Sequence, residues 1–395
     1  MGGGHVKGFL REPDVQSVAT CDPLKSRRDE KAAWIDECYT EKFGRAGYRC
    51  CSTYNDFRDL LARDDIDAVV IATPPHWHVL TALAACRAGK DIYCEKPLGL
   101  SINEGQKLRD TIRRNGTVFQ FGTQEHSDAR TRFACELVRN GRIGKVHTIY
   151  AWCAAGQAGG STKPIPVPEG FDYEMWLGPA PYTPYTADRC FTRGKSWVYD
   201  NNLGFISDWG DHILDIVQWG NGTQLTGPVE FSGTGILPSD GLYDTFTYWD
   251  VWCTYADGVK MRFMSDSAAK PVVTPYGLAG GNGRMWIGSE GWVNVDRGGI
   301  WAEPAGLLET KFGPNDIRLE TSPGHKRNWL NCVKNRRDPV STIDAAVRTD
   351  AIAQLCNIAI RSGRKIVWDP HREVIVSDED ASRMLKRPKR SPWRL

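Results

Sequence analysis

Short apolar runs, each closed by turn residues, recur through the first third of the chain. Val15-Gln16-Ser17-Val18-Ala19-Thr20-Cys21 gives way to Asp22-Pro23, and Asp67-Ala68-Val69-Val70-Ile71-Ala72 to Thr73-Pro74-Pro75. Asp91-Ile92-Tyr93-Cys94 runs into Glu95-Lys96-Pro97, and Val118-Phe119-Gln120-Phe121 into Gly122. The second run is almost free of polar residues, which fits a strand covered on both faces in a parallel sheet. Helical periodicity fills intervals at 56–62, 79–88 and 102–114, the last opening on Ser101 with Glu104 at the spacing of a capping box. This alternation predicts an α/β, doubly wound Rossmann domain that binds a dinucleotide, over residues 1–123.

Beyond Lys145-Val146-His147-Thr148-Ile149-Tyr150 the pattern changes. Proline and glycine are dense through 156–184, and long strand-like runs such as 246–255 alternate with turns at Asp257-Gly258 and Arg297-Gly298-Gly299. An open, largely antiparallel sheet follows from that pattern. Residues 325–336 and 344–360 read as helices that return to the first domain. The chain thus divides into a substrate-binding and oligomerisation α+β domain over 124–368 and a tail over 369–395 that packs back on the body. The exposed faces of such a sheet favour a homo-oligomer.

A length of 395 residues exceeds what one core usually serves, so two domains are expected. Fifty Lys and Arg against 48 Asp and Glu leave a net charge of +2, too little to draw nucleic acid or an anionic membrane. The partner is therefore a small molecule, and the basic stretch Lys386 to Arg390 is assigned to packing. No apolar run approaches the ~18 residues of a membrane span. The N-terminus Met1-Gly2-Gly3-Gly4-His5 lacks the features of an export signal, which makes the chain cytoplasmic as written, or periplasmic if such a signal lies upstream. Twelve cysteines without a Cys-x-x-Cys pattern read as buried, reduced thiols.

Ligands of doubly wound sheets sit at the carboxyl ends of the strands. Asp22, Thr73, Pro74, Glu95 and Lys96 fall there. Asp22 follows Gly2 by the interval at which an acid accepts the adenosine ribose hydroxyls, which favours NAD over NADP, although Lys25, Arg27 and Arg28 stand nearby. Gly2 and Gly3 are the remnant of a glycine loop with no strand before it, and the expectation is that the chain starts late and a strand precedes it. Asp208 and His212 are four positions apart, on one face of a predicted helix that Asp215 can share. A carboxylate beside the imidazole would orient it and raise its basicity. A lysine, an aspartate and a histidine in one cleft can take a proton from a hydroxyl group, the step that accompanies hydride transfer to a nicotinamide. No further His or Cys stands at a ligand spacing, so no metal is assigned.

The run 67–74 with His78 beyond it, Gly89-Lys90 leading to Glu95-Lys96-Pro97, Asn140 to Val146, and Asp208-x-Gly210-x-His212 resemble the Gfo/Idh/MocA family, the relatives of glucose–fructose oxidoreductase and inositol dehydrogenase. The likeness runs from Gly2 to the C-terminus. Trp176-Leu177-Gly178-Pro179-Ala180-Pro181, Asp208-Trp209-Gly210 and the Pro388…Pro392-Trp393 tail resemble a branch common in environmental and gut bacteria, whose members often carry twin-arginine export signals. The resemblance implies an NAD(P)-dependent oxidoreductase acting on a ring hydroxyl of a sugar, glycoside or cyclitol. It implies that Lys96 touches the nicotinamide ribose and the reacting hydroxyl, that His212 accepts the proton, and that Asp208 orients His212 or the substrate. Thr73, Pro74, His78, Glu95 and Gln124 would line the cofactor cleft, with Trp176 and Arg193 at its rim. Two alternatives stay open: a glycosidase that keeps NAD bound and acts through a transient 3-keto sugar, and a non-catalytic sugar sensor. Asp211 stands where the branch often has a small residue or another His, which leaves the substrate open.

Overall fold

The computed structural model describes residues 2–191, 193–279 and 281–395, and the Arg193 side chain also lies outside the described residues. Helix α1 (Gly2–Phe9) opens the chain, with the glycine trio as its first turn. Five short parallel strands follow: β1 (Ala19–Cys21), β2 (Ser52–Tyr54), β3 (Ala68–Ile71), β4 (Asp91–Cys94) and β5 (Phe119–Phe121). They form two hydrogen-bonded pieces, β1-β2 and β3-β4-β5. Helices α2 (Lys25–Phe43), α3 (Phe57–Leu61), α4 (Pro75–Arg87) and α5 (Ile102–Asn115) connect them. Ile71, Leu83, Ile92, Leu108 and Phe121 centre the core.

Two elements depart from the pattern-based reading. The helix expected at 79–88 begins at Pro75, because a proline in the first turn lacks only an N–H that would be unpaired there anyway. The 19-residue α2 was not expected: its buried stripe is only Ala32, Ile35 and Tyr39, set among charged residues. The α5 capping box is present, with the Glu104 carboxylate accepting from Leu100 N–H at 2.7 Å and Ser101 N–H at 3.0 Å.

The second domain is built on a nine-stranded sheet from β6 (Val146–Cys153), β7 (Glu230–Ile236), β8 (Tyr248–Thr254), β9 (Lys260–Ser265), β10 (Gly283–Gly288), β11 (Trp292–Val295), β12 (Ile300–Glu303), β13 (Ile366–Asp369) and β14 (Val374–Ile375). Its order is β12-β11-β10-β6-β9-β8-β7-β13-β14, antiparallel except where β6 meets β9. Helices α6 (Ala129–Arg139), α10 (Gly210–Asn221) and α13 (Ile343–Ser362) pack on one face. On the other face α11 (Asp266–Val273) covers Trp152, Met264 and Met285. Trp252 and Trp301 are left partly exposed.

α12 (His325–Asn335) and α13 join the two domains. Trp329 and Cys332 of α12 pack with Phe9, Tyr93 and Val118. Along α13, Ile343, Ala346 and Val347 enter the first core and Ile352, Leu355 and Cys356 the second. Short helices α7 (Tyr173–Leu177), α8 (Ala187–Cys190) and α9 (Phe205–Asp208) lie on the segment that leads to the interdomain cleft, and α14 (Glu379–Arg383) precedes the tail. In the tail, Lys389 pairs with Glu104, Arg390 Nε donates to the Gly178 carbonyl at 3.0 Å, and Trp393 packs edge-on against Trp77. Among the described residues no helix is long and apolar enough to cross a membrane.

Candidate active site

β4 delivers Glu95 and Lys96 to the mouth of the parallel sheet, followed by a cis bond to Pro97. The Lys96 side chain is buried, and its Nζ donates to the Asp208 carboxylate and, at 2.7 Å, to the Asp208 backbone carbonyl. That second bond explains why Asp208 and His212 do not lie on one continuous helix. In an unbroken α-helix the Asp208 carbonyl would accept from His212 N–H. Here Lys96 takes that carbonyl, His212 N–H turns to Trp209 O at 3.1 Å, and α9 and α10 separate at Trp209.

Asp208 is held from its other oxygen by Asn202 Nδ2 at 3.3 Å, while Asn202 Oδ1 accepts from Gly204 N–H at 3.0 Å. Gly204 is a position only glycine suits. Its φ is +84°, and a Cβ there would stand 2.7 Å from Thr245 Cβ.

His212 departs from the expectation that Asp208 would orient it and raise its basicity. The carboxylate is spent on Lys96 and Asn202, and His212 Nδ1 is buried without a partner among the described residues. Burial, followed by the charges of Lys96, Arg297 and Arg284, holds the imidazole well below its usual value. His212 is consequently neutral at physiological pH, a state able to accept a proton, with Nε2 as the nitrogen available to a substrate. Asp215 faces elsewhere, against His126 Nε2 at 2.8 Å and Thr349 Oγ1 at 3.2 Å. Burial pushes its carboxyl up, but His126, Thr123 and Thr349 together outweigh that and hold it low.

The next residue, Asp211, is fully buried and neither carboxylate oxygen has a partner among the described residues. Burial and then Asp350 on α13 drive its pKa well above the usual range, and burial lifts Asp350 to about 8. Two carboxyls this close cannot both ionise at low cost, so the pair retains a proton.

On the cofactor side, Asp22 stands past the end of β1, where its Oδ1 accepts from Leu24 N–H at 2.8 Å. The neighbouring cations are engaged elsewhere: Lys25 with Asp29, Arg27 over the Phe191 ring at 5.3 Å, and Arg28 on the Asp22 carbonyl and Asn55. α1 presents the N–H groups of its first turn from glycines, and Gly4 has open space where a Cβ would be. An acid at the strand end and a side-chain-free helix N-terminus fit a dinucleotide without a 2′-phosphate.

The other expected cleft residues take varied places. Glu95 is buried and accepts from His5 of α1 at 2.6 Å. His78 is also buried, with its two ring nitrogens against the carbonyls of Pro97 at 2.6 Å and Thr73 at 2.8 Å. It thereby ties the Thr73-Pro74 turn to the segment after Lys96 and presents no free nitrogen to a ligand. Gln124 is exposed at the start of a 3-10 turn. Trp176 is not at an open rim: its ring packs in the cluster of Phe171, Tyr173 and Tyr185, and its carbonyl accepts from His76 at 2.8 Å. Arg193 begins a 3-10 turn, and its side chain lies outside the described residues.

Sequence reasoning missed a charged group beside His212. Trp209 contacts His212 edge-on and carries the Arg297 guanidinium 4.6 Å above its ring. Arg297 Nε donates to Glu125 at 2.9 Å, and the buried Arg284 donates to the other oxygen of Glu125. No local signal marks this trio, because Glu125 meets partners 159 and 172 positions away.

A parallel sheet with an acid at one strand end, a lysine at another and a neutral histidine across the cleft defines a dinucleotide-dependent oxidoreductase. The chain matches the model of an oxidoreductase family with an NAD-binding Rossmann fold over residues 2–123 and that family's C-terminal alpha/beta domain over 141–294 and 316–395. It belongs to the Gfo/Idh/MocA family. Among relatives, a glycosyl hydrolase family 109 protein of Solibacter usitatus is 34% identical over 113 residues, 28% of this chain and only 25% of that protein. The scyllo-inositol 2-dehydrogenase (NAD(+)) of Bacillus subtilis is 24% identical over 378 residues, 93% of each chain. The crystal structure of myo-inositol 2-dehydrogenase from Lactobacillus plantarum superposes with a TM-score of 0.60 at 20% identity, covering 93% of this chain and 96% of that one.

Proposed function

We propose that this chain oxidises a ring hydroxyl of a sugar, glycoside or cyclitol in an NAD-dependent reaction. The observation that carries the reading is the buried Lys96–Asp208 pair facing neutral His212 at the carboxyl end of β4. Bound NAD supplies the hydride acceptor. Lys96 Nζ donates to the substrate oxygen and stabilises negative charge developing there, while Asp208 and Asn202 keep Nζ in place. His212 Nε2 takes the hydroxyl proton. Substrate names among the relatives, which include an inositol dehydrogenase, support the class of hydroxyl. Assembly through the partly exposed sheet face around Trp252 belongs to the same proposal.

The test is a panel of sugars, glycosides and cyclitols incubated with NAD, followed by NADH formation and product mass. A ring ketone formed with stoichiometric NADH supports the reading, and no oxidised product from any class defeats it. The match to a glycosyl hydrolase family 109 protein favours a second reading, glycoside cleavage through transient oxidation. Release of the aglycone from an aryl glycoside without accumulating NADH would select that one.

A further inference from the structure

Arg297 also lines a cavity of about 350 Å³ whose wall includes Gln124, Ser127 and Arg130. The cavity therefore begins at the guanidinium that sits on Trp209, and Trp209 in turn lies 5.8 Å from the His212 ring, centroid to centroid. Acids and guanidiniums match in number here, Glu125, Asp128 and Asp296 against Arg130, Arg284 and Arg297, so it is the hydrogen-bonding capacity of Arg297 rather than net charge that is left unspent. Glu125 alone serves both Arg284 and Arg297. Arg284 is fully buried, and its Nε and Nη1 have no partner among the described residues. The remaining acids at the wall are committed to backbone: Asp296 accepts from Gly298 N–H at 2.6 Å and Gly299 N–H at 3.0 Å, and Asp128 accepts from Thr131 N–H at 2.9 Å and pairs with Arg130 at 3.6 Å. Arg297 uses its Nε edge on Glu125, while its two Nη groups make no hydrogen bond among the described residues.

A fixed, half-exposed guanidinium with a free pair of donors matches a planar carboxylate, which accepts two parallel N–H bonds. We propose that this cavity is the subsite for a carboxylate carried by the substrate, so that the preferred substrate is a sugar acid, such as a uronic acid or its glycoside, held by Arg297. The inference rests on the oxidoreductase reading and narrows its substrate class. It also gives the acid a second effect. Neutralising Arg297 removes one of the cations that disfavour protonated His212, so the occupied subsite makes the proton acceptor a stronger base.

The test compares methyl glucuronide with methyl glucoside, using the full chain with NAD, and adds calorimetric titration of each sugar onto the protein with NADH. Expected is a kcat/KM for the glucuronide about 10- to 100-fold above that for the glucoside, the range of a hydrogen bond to a charged group. Arg297→Gln should bring that ratio near one, mainly through KM, and Arg297→Lys should restore part of it. Equal use of the two sugars, a ratio unchanged in Arg297→Gln, or a preference for glucose 6-phosphate over both would overturn the assignment. If neither sugar is oxidised but the glucuronide still binds in an Arg297-dependent way, the carboxylate subsite stands and the oxidation reading is decided by the wider panel. Absence of both turnover and Arg297-dependent binding overturns the subsite.

Discussion

Lys96 Nζ reaches two oxygens of Asp208, the carboxylate and the backbone carbonyl, from 112 positions away. One side chain thus ends a helix, fixes a charge and places an ammonium group in the cleft. Removing it strands the Asp208 carboxylate with only Asn202.

Lys96→Met is expected to lower turnover by about 10²- to 10³-fold, the usual cost of removing one donor that stabilises a developing negative charge. Stability should fall by about 3–5 kcal/mol, because a mostly buried ion pair is broken from one side. Adding Asp208→Asn to that variant should recover much of the stability and none of the turnover. Urea melts and NADH formation measure the two quantities separately. An unchanged turnover would remove Lys96 from the chemistry.

Acid should destabilise the fold through buried histidines. Burial pulls His76 and His325 down to about 4 and holds His212 well below its usual value. With folded values below the unfolded value of 6.5, these groups contribute stability that is present above pH 6.5 and is lost as pH falls toward about 4. His325 Nε2 donates to the Phe121 carbonyl (2.8 Å) and its Nδ1 meets Ser127 Oγ (3.3 Å), contacts a glutamine can partly keep. The melting temperature of His325→Gln should therefore depend less steeply on pH between 6.5 and 4 than that of the parent chain. Parallel curves would show that His325 does not contribute.

The strand ends were readable because apolar runs closed by turn residues are a local signal, and they located Asp22, Lys96 and their neighbours. The break at Trp209 was not readable, since it depends on a lysine from a distant strand capturing a helix carbonyl. His78 and Trp176 looked like cleft residues by position. Whether their polar atoms are already used is a matter of tertiary contact, and both turn inward. Glu125 and Arg284 drew no reading and Arg297 only that of a turn, because their pairing is made by folding alone.

Gly204→Ala should damage the site without touching a reacting group. The residue would be held at a φ of +84° with its Cβ 2.7 Å from Thr245, which costs about 1–3 kcal/mol or displaces the turn. Because Gly204 N–H anchors Asn202, and Asn202 holds Asp208, the loss should appear in kcat as well as in melting temperature. A variant with lower stability and full kcat would separate the turn from the positioning of Asp208.

Asp211 and Asp350 should make the protein less stable in mild alkali. Both carboxyls are raised above the unfolded value of 3.8 by burial, Asp350 to about 8. A raised folded value means stability that is complete below pH 3.8 and is lost as pH climbs through the raised values. The sign is opposite to that of the buried histidines. Asp211→Asn keeps the shape, supplies an amide donor to Asp350 Oδ1, which has no partner among the described residues, and removes one of the two charges. It should stabilise the fold by about 1–3 kcal/mol above neutral pH, the range for relieving an unsatisfied buried polar group. At pH near 4 the two proteins should melt alike, since both carboxyls are then protonated in the parent chain. Urea unfolding at pH 5, 7 and 9 reads the difference directly, and a variant that is less stable at pH 9 would show that the pair does not share a proton.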